Sequence, residues 1–192
     1  MSASVDRPAE PGAKLAAALE QLARARRMQR QALATARGVS ALQLDVLSTL
    51  AAGAPPEPTI GLLAHELGVA QPTVTDAVAA LERKGYVVRE GEPGTRRVRV
   101  RATPAGHELG TVEDPLARAA GRLDPQLRDA ALGAALTMIA SLVGDGTITV
   151  ARTCLTCRFH RRDDGGSHCD LLKVPLAPAD LRVNCPEHQP AA

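Results

Sequence analysis

Thr59–Arg101 reads TIGLLAHELGVAQPTVTDAVAALERKGYVVREGEPGTRRVRVR and divides into helix, tight turn, helix and two short strands. Thr59 is placed to cap a first helix, because Ile60, Leu63, Ala64 and Leu67 recur at three- and four-residue steps and Gly68 follows as a stop. A second helix opens at Gln71 with Pro72 as its first helical residue, where a missing N–H costs nothing because that group has no partner inside the helix. Val74, Val78 and Leu81 share one face, which leaves Thr73, Thr75, Asp76, Ala80 and Arg83 outside. That outer face is small and polar. A helix of this kind, behind another helix and a short turn, is suited to the major groove of DNA.

After Gly85 the period changes to two. Tyr86, Val88, Val98 and Val100 alternate with Arg89, Arg97, Arg99 and Arg101, which predicts a half-buried hairpin with arginines on its open face. Glu90-Gly91-Glu92-Pro93-Gly94-Thr95 turns the chain between the strands. Guanidinium groups so placed reach phosphates or a minor groove. Leu67-Gly68-Val69, Thr73-Val74, Leu81-Glu82-Arg83-Lys84-Gly85 and Thr103-Pro104-Ala105-Gly106 occur in that order. With them, residues 12–146 resemble the MarR family of bacterial transcriptional regulators and their winged helix-turn-helix.

The resemblance implies a homodimer on a palindromic operator in double-stranded DNA, acting as a repressor, with recognition helices one DNA turn (~34 Å) apart. The expected contact residues are Gln71, Thr73, Thr75, Asp76 and Arg83 on the helix, with Arg89, Arg96, Arg97 and Arg99 on the wing. Two positions depart from the family. Gly94-Thr95 precede Arg96 where an Asp is usual, and Asp76 stands where Arg is frequent. A carboxylate there repels phosphate but accepts from a cytosine amino group.

The totals agree with a local basic surface rather than a global one. Lys+Arg 23 against Asp+Glu 21 leaves +2, with arginines gathered at Arg24, Arg26, Arg27 and Arg30 and in the wing. Phosphate contacts use patches, so near-neutrality does not exclude DNA. One Tyr, one Phe and no Trp argue against base stacking on single strands and require a core of Leu, Val and Ala. No run of eighteen apolar residues and no basic-then-apolar amino terminus is present, so neither a membrane span nor a secretory signal is expected, and the cytoplasm follows.

In chain order, residues 1–11 are a loose leader and residues 12–38 a dimerisation helix with Leu15, Leu19, Leu22 and Leu33 in a stripe. The winged helix-turn-helix takes 39–103, opened by a Ser40/Gln43 capping box that starts a helix at Ala41, with Val39 and Leu44 as its staple. Ala54-Pro55-Pro56-Glu57-Pro58 forms a stiff link. Thr103-Pro104 starts a further helix expected to run to about Leu123 with a bend near Asp114-Pro115. Asp124-Pro125 starts the last, with Leu127, Ala131, Ala134, Met138 and Leu142 in a stripe, completing the dimerisation region 104–146. The expected class is mainly α, an α+β winged helix in a MarR-like dimer, with a two-stranded wing and a small irregular cysteine-rich extension.

Residues 147–192 lie outside that pattern. All four cysteines are here, as Cys154-x2-Cys157, eleven residues, Cys169, fifteen residues and Cys185, with His160, His168 and His188 among them. A C-x2-C pair turns two thiolates to one centre and the other two complete four ligands, so a metal is expected to supply the cross-links that a short apolar-poor segment lacks. Cys185-Pro186 resembles the closing pair of many iron–sulfur sites. His168 or His188 with three cysteines would instead give zinc, Zn2+. Free or reversibly oxidised thiols are the remaining case. A metal centre here is expected to be structural or to sense iron, oxidant or metal supply. Two other readings use the same residues: a metal-binding adaptor without DNA, and a thiol redox protein cycling Cys154 and Cys157. No nucleophile–base pair, phosphate-cradling loop or paired carboxylates suggest another enzyme.

Overall fold

The computed structural model describes residues 10–53, 58–91, 98–149, 151–163 and 166–191. Seven α-helices and five strands are described: α1 Pro11–Ala36, α2 Ala41–Ala51, α3 Ile60–Leu67, α4 Gln71–Arg83, β1 Val87–Gly91, β2 Val98–Ala102, α5 Pro104–Gly110, α6 Pro115–Ala120, α7 Pro125–Gly144, β3 His160–Asp163, β4 Gly166–Cys169 and β5 Val174–Leu176. Sheet one is the antiparallel pair β1–β2, and sheet two is antiparallel in the order β3-β4-β5.

Local signals fix most helix starts. Ser40 Oγ accepts from Gln43 N at 3.1 Å while Gln43 Oε1 accepts from Ser40 N at 3.1 Å, so α2 begins at Ala41 as the capping box requires. Thr59, Thr103, Asp114 and Asp124 cap α3, α5, α6 and α7 by accepting backbone N–H groups. Gly68 ends α3 at φ 64, a left-handed conformation that a side chain would strain.

The core is aliphatic. Val39, Leu44, Val46, Leu47, Leu63, Val74, Val78, Leu81, Val87 and Val100 form one buried cluster joining α2, α3, α4 and the wing. Helix α5 lies hard against this cluster. A Cβ on Gly106 would stand 1.9 Å from the Tyr86 carbonyl oxygen and one on Gly110 2.4 Å from that of Leu47, so both positions need glycine to let backbones meet.

Three expectations change. The helix after Thr103 is broken rather than bent: α5 stops at Gly110, and α6 restarts at Pro115 under the Asp114 cap. Pro115 cannot donate to the preceding turn and pushes Asp114 out of helical geometry. The tail is a small sheet flanked by 3-10 turns at Cys154–Thr156 and Pro178–Asp180, both packed on α7, and not an irregular extension. The first helix includes Pro11, assigned in sequence to the leader. The proline-rich link at 54–57 falls outside the described residues.

Helix α7 is also more apolar than a search for uninterrupted runs suggests. Over Pro125–Gly144 the mean hydropathy reaches 1.4, long and apolar enough by length and composition to cross a membrane, with only 6% of that window buried. Its single buried residue is Leu136; Leu127 and Leu142 are exposed, as are Leu15, Leu19 and Leu22 of α1.

Candidate nucleic-acid interface and cysteine centre

Helix α4 turns Val74, Ala77, Val78 and Leu81 into the core, which presents its opposite side outward. Gln71, Thr73, Asp76 and Arg83 are exposed there. Thr75 is half-buried, and its hydroxyl donates to the Gln71 carbonyl at 3.0 Å, so it steadies the first turn as well as facing out. Below this face, Lys84 Nζ donates to the Gly38 carbonyl at 2.6 Å and ties the end of α4 to the α1–α2 corner.

The wing places its arginines differently from the sequence expectation. Arg89 pairs with Val100 and Val87 with Ala102, so Val87, Arg89 and Val100 share the core face of β1–β2. Val87 and Val100 are buried, whereas Val88 and Val98 are exposed. The expected alternation is one residue out of step on β1, and a one-residue slip exchanges the faces of a whole strand. Arg89 therefore turns towards α4, its Nε 3.2 Å from Glu82 Oε2, and is not on the open face. Arg101 is exposed on the outer face as expected and pairs with Glu90 at 3.1 Å, whereas Arg99, on the same side of β2, is half-buried with its Nε out of solvent. Arg96 and Arg97 lie outside the described residues.

In the tail, Cys154, Cys157, Cys169 and Cys185 line one cavity of about 30 Å3, with His160, Leu172, Leu176 and Arg182. Topology brings them there. The Cys154–Thr156 turn makes the knuckle, with Cys157 N donating to Cys154 O at 3.0 Å. Pairing of β3 with β4 sets His160 opposite Cys169. Cys185 is held by its own N–H, which donates to the Arg152 carbonyl at 2.8 Å.

Arg182 N donates to Cys154 Sγ at 3.2 Å, and Arg182 Nη1 lies 3.9 Å from Cys185 Sγ. Burial pushes the Cys154 and Cys185 thiols above the ordinary range, against the lowering effect of these Arg182 contacts. Among the described residues no three His, Cys, Asp or Glu side chains are arranged to hold a single metal ion.

His160 is the donor that sequence reading passed over, although Cys154-x2-Cys157-x2-His160 puts it in step with the knuckle. Its Nε2 is buried and has no hydrogen-bond partner among the described residues. Burial, followed by Arg162, lowers its pKa and favours the neutral ring. The two histidines put forward from sequence stand elsewhere. His188 Nε2 is 3.0 Å from Thr156 Oγ1, and His168 Nδ1 is 3.9 Å from Asp163 Oδ1. Neither lines the cavity.

A second, open cavity of about 720 Å3 is lined by Arg26 and Arg30 of α1, Asp45 of α2, Glu66 of α3 and Asn184 of the tail. Arg152 forms an ion pair with Glu66 beside it, both side chains mostly buried, and so joins the tail to α3.

Two packed helices, a tight turn and a two-stranded wing define a winged helix-turn-helix protein. Residues 37–98 match the model of the MarR family. Solved structures are similar in fold. The Staphylococcus aureus MepR–DNA complex has a TM-score of 0.54 at 18% identity, covering 67% of this chain and 97% of that one. Staphylococcus aureus MarR with salicylate and kanamycin has a TM-score of 0.58 at 16% identity, covering 69% and 93%. Another MarR family transcription regulator has 0.58 at 18% identity, covering 70% and 91%. No curated protein sequence matches the chain.

Proposed function

We propose that the chain is a non-catalytic, homodimeric regulator of transcription that binds double-stranded DNA in the cytoplasm and carries a metal centre in its tail. The observation that carries this reading is the exposed polar face of α4, with Gln71, Thr73, Asp76 and Arg83 free of the core that Val74, Val78 and Leu81 occupy. Side chains of these types reach base edges and phosphates from a major-groove helix. Staphylococcus aureus MepR, of similar fold, has been solved as a DNA complex. Homodimerisation is supported by the exposed leucines of α1 and α7, Leu15, Leu19, Leu22, Leu127 and Leu142. Two copies joined there would pair two recognition helices for a palindromic site, which suits a repressor.

For the tail, the donor set fits a metal centre: four thiols and one orphaned imidazole nitrogen around one largely apolar cavity. An iron–sulfur cluster is the first reading, from the Cys185-Pro186 pair that resembles the closing pair of many such sites. N–H groups aimed at sulfur, as from Arg182, tune such centres. Zinc is the second reading, favoured by His160 as a nitrogen donor.

Both parts are open to experiment. Duplexes selected from genomic fragments by the full-length protein are expected to bind with a Kd that rises steeply with salt, and Thr73→Ala with Arg83→Ala to weaken them at least tenfold. Salt-independent or absent duplex binding would leave the adaptor reading. Protein purified without oxygen is expected to be brown with iron and acid-labile sulfide; a colourless protein with stoichiometric zinc selects the second reading, and one without metal removes both.

A further inference from the structure

We propose that the ion pair between Arg152 and Glu66 is the link through which the state of the cysteine centre reaches the DNA-binding helices. This rests on the metal-centre reading above and adds a path to it. Glu66 occupies the last turn of α3, two residues before the left-handed Gly68 that sets the turn into α4. Arg152 lies in the segment leading to Cys154, and its carbonyl accepts from Cys185 N at 2.8 Å. One residue therefore holds a cysteine of the centre by its backbone and the helix-turn-helix by its guanidinium.

The surroundings keep this link stiff. The preceding carbonyl, that of Ala151, accepts from Thr156 Oγ1 at 2.6 Å, and Cys154 N donates to the Arg182 carbonyl at 3.0 Å. Side-chain exposures of 17% for Arg152 and 14% for Glu66 shield the pair from water, so the contact is geometrically demanding. Drawing Cys154 and Cys185 onto a bound centre shifts the 151–154 segment, and the guanidinium carries that shift to the end of α3. The recognition helix then changes its tilt or its freedom. A ligand acts on a distant site only if the two states differ in free energy, and this contact is where loaded and stripped tails differ for the winged helix.

The test uses the full-length protein and its selected duplex, stripped with chelator or reconstituted anaerobically with ferrous iron and sulfide, and separately with zinc. Wild type is expected to differ at least fivefold in duplex Kd between loaded and stripped forms, within the range usual for coupled sites. The neutral double variant Arg152→Gln/Glu66→Gln avoids leaving a buried charge without its partner. It is expected to keep its metal content and duplex binding but to reduce that difference below twofold, and the swapped Arg152→Glu/Glu66→Arg to restore part of it. Coupling unchanged in the neutral double variant overturns the proposal. Equal affinities for loaded and stripped wild type also overturn it, while the DNA-binding and metal readings stand. Wild type that takes up no metal overturns the metal reading and the proposal together.

Discussion

Arg83 and Arg89 carry the same charge six residues apart, but the backbone gives them separate roles. Arg83 ends α4 on the exposed face, where the proposed DNA-binding reading sets its guanidinium against phosphate. Arg89 is turned onto the core side of the wing and braces Glu82. Arg83→Ala is therefore expected to weaken every duplex alike and to lower the slope of log K against log salt by about one. Arg89→Ala is expected to leave that slope unchanged and to cost about 0–1 kcal/mol in urea unfolding, because the pair it breaks is partly solvated. Charge type was legible at both positions and orientation at Arg83, but the orientation of Arg89 was not. Tyr86-Val87-Val88-Arg89 offers two adjacent valines, and the pattern alone does not say which of them enters the core.

At the scale of elements, the helix boundaries were the most legible feature, because caps act within four residues. Ser40 with Gln43, Thr59, Thr103 and Asp124 each start a helix where the sequence places one. The break between α5 and α6 was read only as a bend, since the strength of the Asp114-Pro115 signal depends on what packs around it. Packing also explains Gly106 and Gly110. Gly106 was legible in sequence only as part of the Thr103-Pro104-Ala105-Gly106 motif and Gly110 carried no signal, and only the structure reveals the backbone of α2 and Tyr86 pressed against them. Gly110→Ala is expected to destabilise the protein by about 1–3 kcal/mol through overpacking against Leu47, measured as a lower midpoint of thermal unfolding. Gly133, where a Cβ would meet nothing within 4 Å, is the control: Gly133→Ala in the middle of α7 is expected to be neutral or stabilising.

For the whole molecule, the winged helix was legible because period and turn residues suffice to specify it, whereas the tail was legible only as a ligand list. Its sheet has short strands of mixed polarity, and the register that places His160 opposite Cys169 is set by tertiary contact. The Arg152–Glu66 pair joins residues 86 apart in sequence and left no local signal. The exposed apolar faces of α1 and α7 give a prediction at this scale. Leu19→Glu with Leu127→Glu is expected to convert a dimer to a monomer in sedimentation and to lower duplex affinity, since one recognition helix would then bind alone.

The central claim is that the outward face of α4 reads DNA, and duplex-binding anisotropy of full-length protein across a salt series tests it most directly. The account predicts a steep salt dependence for wild type and at least a tenfold loss on replacing Thr73 and Arg83 with alanine, with thermal unfolding unchanged. Equal affinity of wild type and this variant for the selected duplex at every salt concentration would contradict it.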